Sequence, residues 1–245
     1  MNDILWTPSE NRRKSSLINK FMEKSSQDFK DYFSLRSWSI NNMEDFWEEF
    51  WNFSGIIHSK AYDSVLTNPV MPGAKWFEGA ELNYAENLLS GESNQTAIVS
   101  VAEGREDKFY TFAELNSAVA SAQKGLENLG VKEGTRVAAF VPNCVETVIL
   151  MLAVASSGGV WTSCSPDFGS QGVIDRFGQV EPEVLIVANG YNYNGKTFSL
   201  EEKINGVLDQ IECIQHTICI EFVSLTYNLN HSSVINYDEL LLSDL

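Results

Sequence analysis

The sequence predicts an α/β protein: a helical amino-terminal segment, then a mostly parallel sheet with helices on both faces. Three observations carry this. From Thr96 onward, short apolar runs alternate with stretches at helical spacing. Those runs, Val184–Ala188 above all, show no polar–apolar alternation, so each strand must be covered on both sides. Residues 1–90 differ in texture and hold five of the six tryptophans, Trp6, Trp38, Trp47, Trp51 and Trp76. Two domains are therefore expected, 1–90 and 91–245.

In the first, residues 15–29 read as a polar amphipathic helix. Asn42 offers an N-cap with Asp45 at N3, and Met43, Phe46, Trp47 and Phe50 fall on one helical face, a packing stripe. Pro69-Val-Met-Pro-Gly73 breaks regular structure, and a further helix begins within 78–89. In the second, 96–101 and 108–112 form a hairpin around Glu103-Gly-Arg-Glu-Asp107. Thr111 and Glu114 make a capping box for a helix that Gly130 ends. Strand 136–141 precedes a helix expected to be capped by Asn143, with Glu146 at N3. Strand 160–163, helix 171–179, strand 184–188, a helix headed by a capping box at Ser199–Glu202, and strand 217–222 follow. The tail 228–233 reads as a loop and Tyr237–Leu242 as the start of a helix.

Composition excludes several functions. The net charge of −16 lacks the basic excess that replaces phosphate counterions, so no nucleic-acid partner is expected. The apolar helix candidate 145–155 is shorter than the ~20 residues a bilayer span requires, so no membrane span is expected. The start, Met1-Asn-Asp-Ile-Leu-Trp6, lacks the basic and apolar regions of a signal peptide. Cys144, Cys164, Cys213 and Cys219 form no C-x-x-C pair and read as reduced, buried thiols, which with the start suggests a cytoplasmic protein. His58, His216 and His231 have no metal-ligand spacing, so no metal site is expected.

Gly190-Tyr-Asn-Tyr-Asn-Gly-Lys-Thr197 matches the phosphate-loop pattern G-x-x-x-x-G-K-[ST] after an apparent strand and before an apparent helix. Against it stand the bulky Tyr191 and Tyr193 where a phosphate cradle favours small residues. The position beyond three α/β units also counts against it, as does Glu221 in place of a later strand-end Asp. The competing reading is a polar strand-to-helix turn.

A wider resemblance covers the whole chain. Phe46-Trp-Glu-Glu-Phe-Trp51, Met71-Pro-Gly-Ala-Lys-Trp-Phe-Glu-Gly-Ala80, Leu82-Asn-Tyr-Ala-Glu-Asn-Leu-Leu89, Tyr110-Thr-Phe-Ala-Glu-Leu115 and Leu152-Ala-Val-Ala-Ser-Ser-Gly-Gly-Val-Trp161 occur in family order. They resemble the adenylate-forming superfamily of acyl-CoA ligases. Trp161–Gly169, Asp175-Arg-Phe-Gly-Gln179 and 190–196 favour its acetoacetate branch over the acetate one. The resemblance implies that 1–90 is a helical cap and 91–245 the first, incomplete α/β subdomain of an AMP-binding domain. It implies a ligase that uses ATP, CoA and magnesium to convert acetoacetate into acetoacetyl-CoA, with AMP and pyrophosphate as products. The Ser/Thr/Gly-rich ATP loop and the carboxy-terminal catalytic lysine do not occur in these 245 residues. No catalytic residue is therefore assigned, and the chain alone is expected to be inactive, its partner being the missing carboxy-terminal part of the enzyme.

By the same resemblance this subdomain lends part of the CoA nucleotide site. Its positions map onto Ser165 and Phe168 in the loop after one strand, and onto Tyr193 and Lys196 after the next. Lys196 supplies a point charge for a CoA phosphate, Phe168 packs against adenine and Ser165 donates a hydrogen bond. Arg176 is a further candidate beside that loop, though it also suits an ion pair with a nearby acid, and Asp167 and Ser170 suit caps of the helix near Gln171. Two other functions stay open: a phosphate-loop nucleotide-binding protein, and a nonenzymatic fragment that binds CoA or a protein partner.

Overall fold

A computed structural model describes residues 5–242. The reading of the chain start falls in part on residues 1–4, outside the described residues. The chain divides into two compact units, 1–82 and 83–245.

The first unit holds helices α1 (Glu10–Lys14), α2 (Leu17–Lys24), α3 (Tyr32–Asn41) and α4 (Met43–Ser54), then an antiparallel pair, β1 (Ser64–Thr67) and β2 (Lys75–Glu78). The helix expected over 15–29 is shorter, because Ser16 caps it and the chain turns extended at Ser25. Asn42 precedes α4, but its side chain donates back to the Trp38 carbonyl at 3.2 Å and does not cap the helix. The aromatic stripe of α4 packs as expected. Buried Phe21 meets Phe46, Phe50 and Phe53 edge-on at 5.2–6.2 Å, and Trp51 lies 4.6 Å from Phe77.

The second unit opens with α5 (Tyr84–Leu88), capped by Asn83, and an antiparallel hairpin of β3 (Thr96–Ser100) and β4 (Lys108–Thr111). The Thr111–Glu114 capping box forms and starts α6 (Phe112–Asn128). Then come β5 (Arg136–Phe140), α7 (Val145–Ser156), β6 (Val160–Cys164), α8 (Ser170–Val180) and β7 (Val184–Ala188). A second hairpin follows, β8 (Gly190–Tyr193) and β9 (Lys196–Ser199), then α9 (Glu201–Leu208), β10 (His216–Ile220), β11 (Val234–Asn236) and α10 (Tyr237–Leu242).

Five strands form one parallel sheet in the order β11-β10-β7-β5-β6. Every residue of β7 is buried, as are Val137 to Phe140 of β5, so these strands are dry on both faces. Right-handed crossovers running in opposite directions from β5 to β6 and from β6 to β7 place α7 and α8 on opposite faces. Helices α6, α7 and α10 pack together on one side, α8 and α9 on the other. Strand order reverses between β5 and β7. In such doubly wound sheets ligands bind outside the carboxyl ends of the strands at that reversal.

Three expected caps are replaced. Helix α7 starts after Cys144 without a side-chain cap, because Glu146 turns instead to an arginine of the β3–β4 loop. Helix α8 follows Gly169 without one. The box at Ser199–Glu202 does not form, because Ser199 ends a strand and its hydroxyl only accepts the Glu201 N–H. Strand β11, between the expected loop 228–233 and the helix at Tyr237, was missed by the sequence reading. Among the described residues no helix is long and apolar enough to cross a membrane.

Two glycines in helices test the packing. A Cβ on Gly125 of α6 would lie 2.3 Å from the Leu240 carbonyl oxygen, whereas one on Gly178 of α8 meets nothing within 4 Å. Gly178→Ala is expected to stabilise the chain by up to ~1 kcal/mol through helix propensity. Gly125→Ala is expected to destabilise it by ~1–3 kcal/mol through overpacking. Denaturant midpoints of the two variants check both signs.

Candidate functional site

The segments after β6 and β7 leave the sheet at its carboxyl edge; they carry Ser165 and Phe168 in the first and Tyr193 and Lys196 in the second, while Arg176 lies on α8 beside the first. After β6, the Ser165 hydroxyl donates to Asp167 at 3.3 Å. Asp167 is thus engaged within its own loop and does not cap α8. The Arg176 guanidinium sits 4.5 Å from the Phe168 ring centre and donates to the Gly172 carbonyl at 2.8 Å. It makes no ion pair among the described residues. One face of Phe168 is therefore taken by Arg176. A residue the sequence reading missed secures this loop: Lys203 of α9 donates to the carbonyls of Pro166 (2.8 Å) and Phe168 (3.1 Å).

After β7 comes Asn189, almost fully buried, a second omission. Its amide nitrogen donates to the carbonyls of Val223 (2.7 Å) and Leu225 (3.1 Å), and its oxygen accepts the Val223 N–H (3.1 Å). It ties the end of β7 to the segment after β10.

The octapeptide Gly190–Thr197 is a β-hairpin, which overturns the phosphate-loop alternative. Strands β8 and β9 pair antiparallel, with Tyr193 opposite Lys196 and Tyr191 stacked on Phe198 at 5.2 Å. The two-residue turn Asn194–Gly195 has positive φ at both positions, 51° and 72°, as a type I′ turn requires. No helix begins there, since α9 starts at Glu201. The turn amides that a phosphate would need are occupied. The Glu103 carboxylate accepts the Asn194 N–H at 3.0 Å and the Gly195 N–H beside it. Tyr193 and Lys196 are both exposed at the tip, and the Lys196 ammonium has no partner among the described residues.

The structure thus gathers Ser165, Phe168 and Arg176 in one group and Tyr193 with Lys196 in another. A further cluster centres on Arg105, two residues from Glu103. Arg105 grips Glu146 through both terminal nitrogens, at 2.6 and 3.2 Å, and lies 4.6 Å over the Phe222 ring. Burial pushes the Glu146 carboxyl up. The hydrogen bonds and charge of Arg105, with a backbone N–H, outweigh burial and hold the carboxyl below its ordinary value. The cysteines are free thiols, and burial raises Cys144 and Cys219 to about 11, so none is a poised nucleophile.

The pattern of the AMP-binding enzyme family matches residues 86–241. The chain belongs to that family. Residues 32–88 match the acetyl-coenzyme A synthetase N-terminus. The chain is 36% identical over 241 residues to an acetoacetyl-CoA synthetase of Xenopus tropicalis, covering 95% of this chain and 36% of that protein. It is 40% identical over 210 residues to the mouse (Mus musculus) protein of the same name, covering 84% of this chain and 31% of that protein. It is 33% identical over 232 residues to a malonamoyl-CoA synthetase of Penicillium aethiopicum, covering 91% and 32% of the two. The solved acetoacetyl-CoA synthetase from Streptomyces lividans superposes on all of this chain and 38% of its own, with a TM-score of 0.91 at 33% identity. The chain therefore spans about a third of the length of these relatives.

Removing Arg105 would strand a buried carboxylate, so Arg105→Ala is expected to cost ~2–4 kcal/mol at pH 7. The sign of the pH dependence should also invert. With Arg105 present, the lowered Glu146 contributes stability above its unfolded value near 4.5, lost as the pH falls through the folded value. Without it, burial raises Glu146, and stability should increase as the pH falls from 7 toward 5. Denaturant titrations at pH 7 and pH 5 test this.

Proposed function

We infer that this chain serves as the amino-terminal part of an ATP-dependent acyl-CoA ligase acting on acetoacetate, with 1–90 as its helical cap and 91–245 as its first α/β subdomain. The single observation that supports this best is the likeness to acetoacetyl-CoA synthetases along 95% of the chain. In the proposed reaction an acetoacetate oxygen attacks the α-phosphorus of ATP and pyrophosphate leaves. The CoA sulfur then attacks the acyl carbon, its proton passes to solvent, and AMP departs with the C–O bond electrons. One similar protein is named a malonamoyl-CoA synthetase, and a malonamoyl group has, like an acetoacetyl group, a carbonyl two carbons from its thioester carbon. Short β-carbonyl acids are thus the substrate class.

These residues hold only some of the parts. Among the described residues no group of three or more His, Cys, Asp or Glu is placed to hold a metal ion. No T-S-G-T-T-G-type segment occurs in the sequence for ATP phosphates. What this chain contributes is positioning of CoA. Lys196 is a point charge for phosphate, Tyr193 its neighbour, Phe168 offers its uncovered face to adenine, and Ser165 and Arg176 shape the loop. Cytoplasmic residence fits this chemistry.

Calorimetric titration of the 245-residue chain is the test. It is expected to bind CoA weakly, to lose roughly threefold to tenfold in affinity on Lys196→Ala, and to show no binding of ATP with magnesium. In a complete enzyme the same substitution should raise the CoA requirement and spare acetoacetate-dependent pyrophosphate release. Equal loss in both half-reactions would refute the role of Lys196, and pyrophosphate release by the 245 residues alone would refute their expected inactivity.

A further inference from the structure

The hairpin that carries Tyr193 and Lys196 stands outside the five-stranded sheet, and β9 is exposed along its length. A lone two-stranded hairpin is marginally stable in water, so its tip needs a holder. The β3–β4 loop supplies one. Glu103 accepts the Asn194 and Gly195 N–H groups on its carboxylate, and its carbonyl accepts from the Asn192 side chain at 3.0 Å. Gly104, at φ +77°, lets the two segments close, since a Cβ there would lie 2.4 Å from the Asn192 amide nitrogen. The next residue, Arg105, is anchored on Glu146 of α7 and against Phe222 after β10. Three consecutive residues therefore join the hairpin tip to the first turn of α7 and the end of β10.

We propose that Glu103 is a positioning residue: its carboxylate clamps the Asn194–Gly195 turn and thereby fixes Lys196 where a CoA phosphate arrives. The ligand half of this rests on the assignment of Lys196 above; the clamp stands on the hairpin geometry alone. Glu103 touches no ligand itself. The clamp also has an electrostatic consequence. Two adjacent backbone N–H groups at a turn attract anions. With a carboxylate already on them, an incoming phosphate is turned away from the turn amides and left to the Lys196 ammonium.

The test combines amide hydrogen exchange by NMR with CoA titration, on the 245-residue chain, on Glu103→Ala, Glu103→Gln and Lys196→Ala, and on the double variant Glu103→Ala with Lys196→Ala. Glu103→Ala is expected to speed exchange at Asn194 and Gly195 by roughly tenfold or more, while amides of β5 and β7 stay protected. It is also expected to weaken CoA by about the same factor as Lys196→Ala, with no further loss in the double variant. Glu103→Gln, which keeps one acceptor oxygen, should fall between, and it stands in if the alanine variant does not fold. Unchanged exchange at the two turn amides would overturn the clamp. Faster exchange with unchanged CoA affinity, where Lys196→Ala weakens it, would overturn the positioning role and leave Lys196 standing. If Lys196→Ala itself binds CoA normally, the assignment of Lys196 fails and takes the ligand half of the proposal with it, while the exchange data still decide the clamp.

Discussion

The dryness of β5 and β7 on both faces governs the rest of the second unit. A strand with no wet side must hand all its backbone polar groups to neighbours and be roofed above and below. That requirement sends the chain through a helix on each passage from β5 to β6, β6 to β7 and β7 to β10, sets all five strands parallel, and puts their carboxyl ends along one edge. Chemistry is then confined to that edge, because the faces have no room for polar groups. The loops after β6 and β7 are the outcome. Their lengths and polar residues are set by what lies outside the sheet, and side chains such as Lys203 and Asn189 fasten them to it.

What was legible in the sequence follows from the same constraint. Burial on both faces leaves an unbroken apolar run, so β5, β7 and β10 could be read to within a residue or two, as could the half-exposed edge strand β6 and the Thr111 capping box. Features decided by distant partners were not legible. Asn143 looked like a cap because Glu146 followed at the right spacing, but Glu146 is claimed by Arg105, 41 positions away. Strand β11 is three residues long, and only its pairing with β10 makes it a strand. Lys203 and Asn189 carry no local signal of their role, since each acts on carbonyls more than thirty residues distant.

The octapeptide Gly190–Thr197 shows how a pattern and a conformation can part company. Its fixed positions fit a phosphate cradle, but Asn194-Gly195 between Tyr193 and Lys196 is also a strong signal for a two-residue hairpin turn. The second signal won, because residues on either side prefer extended backbone and Tyr191 gains a stacked partner in Phe198. The anion attraction implied by the pattern is still present. It is met inside the molecule by Glu103. A glycine-rich match therefore located a real cluster of backbone donors while misjudging who occupies it.

The placement of tryptophan gives the chain an unequal optical character. Five of its six indoles, including the nearly buried Trp51 and the Trp47–Trp76 pair, belong to the unit ending at Leu82, and only Trp161 on β6 belongs to the other. Ultraviolet emission thus speaks mainly for the amino-terminal unit, while the parallel sheet and its helices dominate the amide circular dichroism. The two signals therefore weight the two cores differently within one polypeptide, without any added label.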